Sequence, residues 1–166
     1  MDRAEALLAV AQIALGLAGF GGVFVALSHD RARTRGPADT YRLVLLLCTA
    51  LSTLVLSLLP IAFQSIGVSE RALWALSSAL MAALLVWLLV VTLRWRRGHP
   101  AEIRAGELPW VAGAVSSLAL LCLVGQMLNA AGLFRPHDFG VFFLGLVFMV
   151  AFGSYLFARM LFLWRS

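Results

Sequence analysis

Five long apolar stretches, at 6–27, 43–66, 72–93, 109–131 and 139–163, leave this 166-residue chain little choice of fold. Each is long enough to cross a hydrocarbon core of about 30 Å at about 1.5 Å of helix rise per residue. Inside that core no water is present to bond backbone N–H and C=O groups, so a spanning segment satisfies them within itself as a helix. Composition agrees: 62% of residues are hydrophobic, only 13% are charged, and the mean hydropathy is +0.95, which lies outside the range of soluble globular chains. The connections are too short to hold a soluble domain of about 50 residues or more. The expected fold is therefore a single membrane domain over 1–166, an all-α polytopic bundle of five transmembrane helices.

Lysine is absent, and the thirteen arginines sort unequally between the two ends of these helices. Arg31, Arg33, Arg35, Arg42, Arg94, Arg96, Arg97, Arg104, Arg159 and Arg165 fall at one end, Arg3, Arg71 and Arg135 at the other. Positive side chains are retained on the cytoplasmic side, so the N-terminus is expected outside and the C-terminus in the cytoplasm. The net charge of +5 would suggest nucleic acid in a soluble protein. Here the cations sit at membrane edges, where they set topology and meet anionic headgroups, and no nucleic-acid partner is expected. Tyr41, Trp95, Trp110 and Trp164 share the arginine-rich end, as an interfacial aromatic belt does. The start MDRAE, acidic and followed by a long apolar run without a small-residue cleavage site, reads as a first span rather than a signal peptide.

The first span carries Gly16, Gly19, Gly21 and Gly22, and beneath them Ala14, Ala18, Gly22 and Ala26 recur every four residues. Small residues let helix backbones approach closely in lipid, so this repeat is expected to be a packing stripe. The second span holds Pro60, which removes one helical hydrogen bond and frees the carbonyl of Leu56. Thr49, Thr53, Ser57 and Gln64 share a face of that helix, able to rebind freed carbonyls or bridge to a neighbour. The third span, apolar nearly all round apart from Ser77 and Ser78, reads as lipid-facing. The fourth places Ala112, Ser116, Ala119, Cys122, Gln126 and Asn129 on one face, and the fifth holds seven of the eleven phenylalanines.

Chemistry is limited by what the spans lack. No Asp, Glu, His, Lys or Arg occupies the middle of any of them, whereas proton relays and charge-coupled carriers need ionisable groups there. The sequence has no HExxH, no GxSxG and no phosphate-binding glycine loop. His29, His99 and His137 lie at span edges, and Cys48 and Cys122 are isolated, so neither haem nor a thiolate metal site is expected. No catalytic residue, metal or cofactor is assigned. The remaining constellation is Gln12, Gln64, Gln126 and Asn129, which the expected topology puts in the outer half of the membrane, beneath His137 and Asp138. Two readings stand: interhelical hydrogen bonds, or an external vestibule in which neutral amides, with Thr49, Thr53, Ser57 and Ser116 behind them, replace the hydration of a permeating species.

The elements GFGG at 19–22, Asp39, Arg42 with Leu43, Leu58-Leu59-Pro60, and Gly67 followed by Trp74 cover about a third of the chain. In these it resembles a family of small bacterial inner-membrane proteins without an assigned activity. The resemblance implies a bacterial inner-membrane location and brings no catalytic residue. The expected function is a homo-oligomeric passive channel for an ion or small polar solute, or, alternatively, a non-enzymatic accessory or scaffold subunit of a larger membrane complex. The partners expected are the lipid bilayer and either further copies of the chain or another membrane protein.

Overall fold

The computed structural model describes residues 2–27, 37–98 and 109–163. They form five helices: α1 (Arg3–Leu27), α2 (Pro37–Ser65), α3 (Glu70–Gly98), α4 (Pro109–Ala130) and α5 (Asp138–Leu163). No strand occurs among the described residues, and all five helices are long and apolar enough to cross a membrane. The bounds follow the apolar stretches except at the arginine-rich end. There α2 starts at Pro37 rather than 43, and α3 continues to Gly98 rather than 93. The apolar run stops there, but the helical hydrogen-bond ladder continues past it, and Arg96 and Arg97 in the last turn of α3 suit the negative end of the helix dipole.

Two of the connections at the opposite end are built alike. Gly67 and Gly132 both have φ of +79°, the left-handed conformation that glycine adopts without a Cβ penalty. After α2, Val68 N–H donates to Phe63 O and Gly67 N–H to Gln64 O, both at 3.1 Å; after α4, Leu133 N–H donates to Leu128 O and Gly132 N–H to Asn129 O. These are Schellman closures, which satisfy the last helical carbonyls and turn the chain sharply. Antiparallel hairpins α2–α3 and α4–α5 follow. Arg3 joins this end by pairing with Glu70 of α3 and lying 5.6 Å from the centroid of the Phe139 ring of α5.

Helix α5 is the hub. It packs against all four other helices, whereas α1 rests only on α2 and α5, and α4 only on α3 and α5, among the described residues. The phenylalanines of α5 are consequently filler: Phe142 is fully buried, and Phe139, Phe143, Phe148, Phe152 and Phe157 pack in part against the core. Helix α3 also departs from expectation. It buries Leu73, Trp74, Ser77, Ser78, Met81, Ala82, Leu85 and Leu88, a face at helical spacing, and exposes only the opposite side, through Leu76, Leu80, Trp87 and Leu93. The least covered is α4, in which only Gln126 and Asn129 are buried among the described residues. At the arginine-rich end Tyr41 stacks on Trp95 at 4.7 Å and donates its hydroxyl to Thr92 Oγ1 at 2.8 Å, tying α2 to α3 at the level of the expected belt. Trp110 in the first turn of α4 is exposed, and Trp164 lies outside the described residues.

Candidate functional site

The four amides do not converge. Gln126 and Asn129 are 1% and 2% exposed, at the junction of α3, α4 and α5. Gln12 is exposed on α1, a helix that makes no contact with α4 among the described residues. Gln64, also exposed, lines a cleft at the Arg3 end of α1, α2 and α3. The expectation of one shared layer thus reduces to a pair, because the bundle places α1 and α4 on opposite flanks of α5.

That pair is placed by its spacing. Residues 126 and 129 lie three apart on α4 and so project from one side, towards the first turns of α5 and the first half of α3. Asn129 Nδ2 donates to Ser78 Oγ of α3 at 2.8 Å and to the Asp138 carbonyl of α5 at 2.9 Å, while Gln126 Nε2 donates to the Val141 carbonyl at 2.8 Å. One amide therefore bridges three helices, and its neighbour staples α4 to α5. Gly145 makes this approach possible. A Cβ on it would crowd Met81 Sδ and Gln126 Nε2, so the ends of those two buried side chains would have to move aside and the Gln126 bond to Val141 would be disturbed. Gly145 was not singled out from the sequence; the signal that could have found it is a small residue in the fifth span at a depth matching Gln126 of the antiparallel fourth.

The junction is richer in acceptors than in donors. Gln126 Oε1, Asn129 Oδ1, Asp138 Oδ1 and the Ser77 hydroxyl are buried without a hydrogen-bond partner among the described residues. Such orphans in a buried network mark room for bound water or strain held by the surrounding packing. Beside them an apolar groove of about 430 Å³ runs between α4 and α5, past Cys122, Gln126 and Phe148.

The α2 hydroxyls are sealed. Thr49, Thr53 and Ser57 are at most 1% exposed, and each donates at 2.7 Å to the carbonyl four residues earlier, on Leu45, Thr49 and Thr53. They reinforce carbonyls other than that of Leu56, which Pro60 frees, and line no opening. Ser116 is exposed and bonds in the same way to the Ala112 carbonyl. On α1 the four-residue repeat turns out of the molecule: Ala14 is 1% exposed, Ala18 half-buried, Gly22 and Ala26 exposed. Four residues at 3.6 per turn advance about 40° per step, so three steps carry the stripe about 120° round the helix. The face that stays buried runs through Leu7, Ala14 and Gly21, at spacings of seven. A Cβ on Gly21 would stand 3.2 Å from Leu47 Cδ2, whereas one on Gly22 would meet nothing within 4 Å.

No group of three or more His, Cys, Asp or Glu able to hold a metal occurs among the described residues. His137 caps the start of α5 through its carbonyl, which accepts from Val141 N–H; His29 and His99 lie outside the described residues. Compared with protein-family models, with curated proteins and with solved structures, the chain matches none.

Proposed function

We propose that this chain is a non-enzymatic assembly subunit of a bacterial inner membrane, with its N-terminus outside, whose interior polar groups serve its own fold and whose outward α1 face contacts another membrane protein. One observation carries the reading. Thr49, Thr53, Ser57, Gln126 and Asn129 are all buried inside one protomer, with their donors engaged there, while α1 turns Gln12, Leu15, Gly19, Gly22 and Ala26 outward. Their spacings of three, four, three and four keep these five in line along the helix. In lipid such a small-residue seam is a surface of close approach, and an exposed amide on it gains most from a partner. Gln12 lies about 14 Å along the helix from Arg3 at 1.5 Å per residue, well inside the hydrocarbon.

The test is assembly. Gly22→Ile places a bulky side chain on the seam but in open space within the protomer, so it should abolish co-purification or cross-linking of partner and subunit without lowering thermal stability of the isolated chain. Unchanged assembly removes the seam. The same exposed Gln12 favours a second reading, a homo-oligomeric passive channel in which α1 faces the axis and a ring of Gln12 amides replaces hydration. Purified protein in liposomes separates the two: ion flux that Gln12→Leu lowers establishes the channel, and assembly without flux leaves the subunit.

A further inference from the structure

At the Arg3 end, away from the amide junction, a cleft of about 490 Å³ opens between the start of α1, the end of α2 and the start of α3. This is within the range of about 300–1,000 Å³ usual for small-molecule sites. Leu7, Leu73 and Trp74 make an apolar floor, and Asp2, Arg3, Gln64 and Glu70 make the rim. Arg3 is pinned from two sides, by Glu70 and by the face of Phe139. Only its Nη1 meets a protein acceptor among the described residues, so most of its five donors remain available. The Asp2 carboxylate and the Gln64 amide have no hydrogen bond among the described residues. The decisive group is Trp74. It is 6% exposed, and its buried indole N–H lies towards Glu70 without completing a hydrogen bond, a donor that costs free energy until an acceptor reaches it.

We propose that this cleft binds a phosphoethanolamine headgroup, a phosphate and a primary ammonium two carbons apart, carried by a membrane lipid. The phosphate oxygens accept from Arg3 and from the Trp74 indole; the ammonium donates to Asp2 and Glu70, with Gln64 as a further acceptor; the first carbons of the chains follow Leu7 and Leu73. The charge pattern selects the zwitterion. A lone anion meets the two carboxylates, and a lone cation meets the guanidinium, so neither is matched. A quaternary ammonium has the charge but no N–H to give the carboxylates. The position fits as well, because helix ends with an Arg and two acids stand at headgroup level rather than in hydrocarbon.

The full chain is extracted in mild detergent from vesicles containing equal parts phosphatidylethanolamine, phosphatidylcholine and phosphatidylglycerol with the same acyl chains, and the retained lipid is measured by native mass spectrometry. The wild type should retain phosphatidylethanolamine several-fold over the other two. Asp2→Asn with Glu70→Gln should bring the three to parity, and Trp74→Phe should weaken retention of phosphatidylethanolamine and phosphatidylglycerol alike by removing a phosphate donor. Asp2 and Glu70 are exposed, so their double variant keeps the fold, which its unfolding temperature verifies. Parity in the wild type, or undiminished preference in the double variant, overturns the proposal. Soluble O-phosphoethanolamine added during extraction forms a separate arm: if it displaces the lipid at millimolar concentration the cleft reads the free zwitterion, and the lipid assignment falls.

Discussion

At the scale of single residues, close packing in this molecule is decided by which glycine faces a neighbour. Gly145 and Gly22 are both helical glycines in apolar spans, yet an added methyl would collide with Met81 and Gln126 at the first and meet open space at the second. Gly145→Ala should therefore destabilise the chain by about 1–3 kcal/mol, the usual cost of overpacking, and Gly22→Ala should leave it unchanged; unfolding in mixed detergent micelles measures both. Equal tolerance would mean that α4 can move off α5 at little cost. The two buried amides make a second comparison. Asn129→Leu removes bonds to Ser78 Oγ and to the Asp138 carbonyl, whereas Gln126→Leu removes only the one to Val141. At about 0.6 kcal/mol per interhelical hydrogen bond in a bilayer, Asn129→Leu should cost roughly twice as much. The reverse order would show that the staple to α5, not the bridge to α3, holds α4 in place.

At the scale of helices, existence was legible in the sequence and orientation about each axis was not. A span announces itself because about 20 apolar residues in a row have only one way to satisfy their backbone in lipid. Which side of it faces inward is another matter, since lipid tails and a protein core are equally apolar and periodicity carries little signal. The apolar circumference of α3 hides that one side of it is buried and the other exposed, and α4, with polar residues along one face, buries less than α3 does. Of the α4 face from Ala112 to Asn129, Gln126 and Asn129 are buried and Cys122 half-buried, but Ser116 is exposed, since the inward packing of α4 is confined to the end that meets α3 and α5; the α1 repeat turns outward because spacings of four do not keep in register. Spacing puts the hydroxyls of α2 on one face, but it does not give their bonds, since a hydroxyl in a dry interior takes the nearest carbonyl of its own helix. Replacing them together, Thr49→Val, Thr53→Val and Ser57→Ala, should change stability by less than about 1 kcal/mol, because each carbonyl they serve still has its helical N–H. A loss much larger than that, or an altered liposome permeability, would give the α2 face a role outside its own helix.

At the scale of the whole molecule, the unequal ends decide what each site can meet. The described residues place Arg42, Arg94, Arg96, Arg97 and Arg159 at one end and Arg3, Arg71 and Arg135 at the other, and the full sequence widens this to ten against three. The cations at the poor end are partly neutralised in place: Arg3 is paired with Glu70, and Asp2, Glu5 and Asp138 share that end. Translocating it across a membrane thus costs less than translocating the rich end, where ten of the thirteen arginines of the sequence fall. An enzyme reporter active only in the cytoplasm and joined after Ser166 should work, and one active only outside should be silent. The same pair joined before Met1 should give the opposite result, provided the added domain can be exported. Inversion of all four outcomes would turn the amide junction and the Arg3 cleft towards the cytoplasm, where the cleft would meet the inner leaflet and the soluble zwitterions of the cell interior. The lipid-retention experiment would then have to be read with those solutes present, so the topology assay comes first.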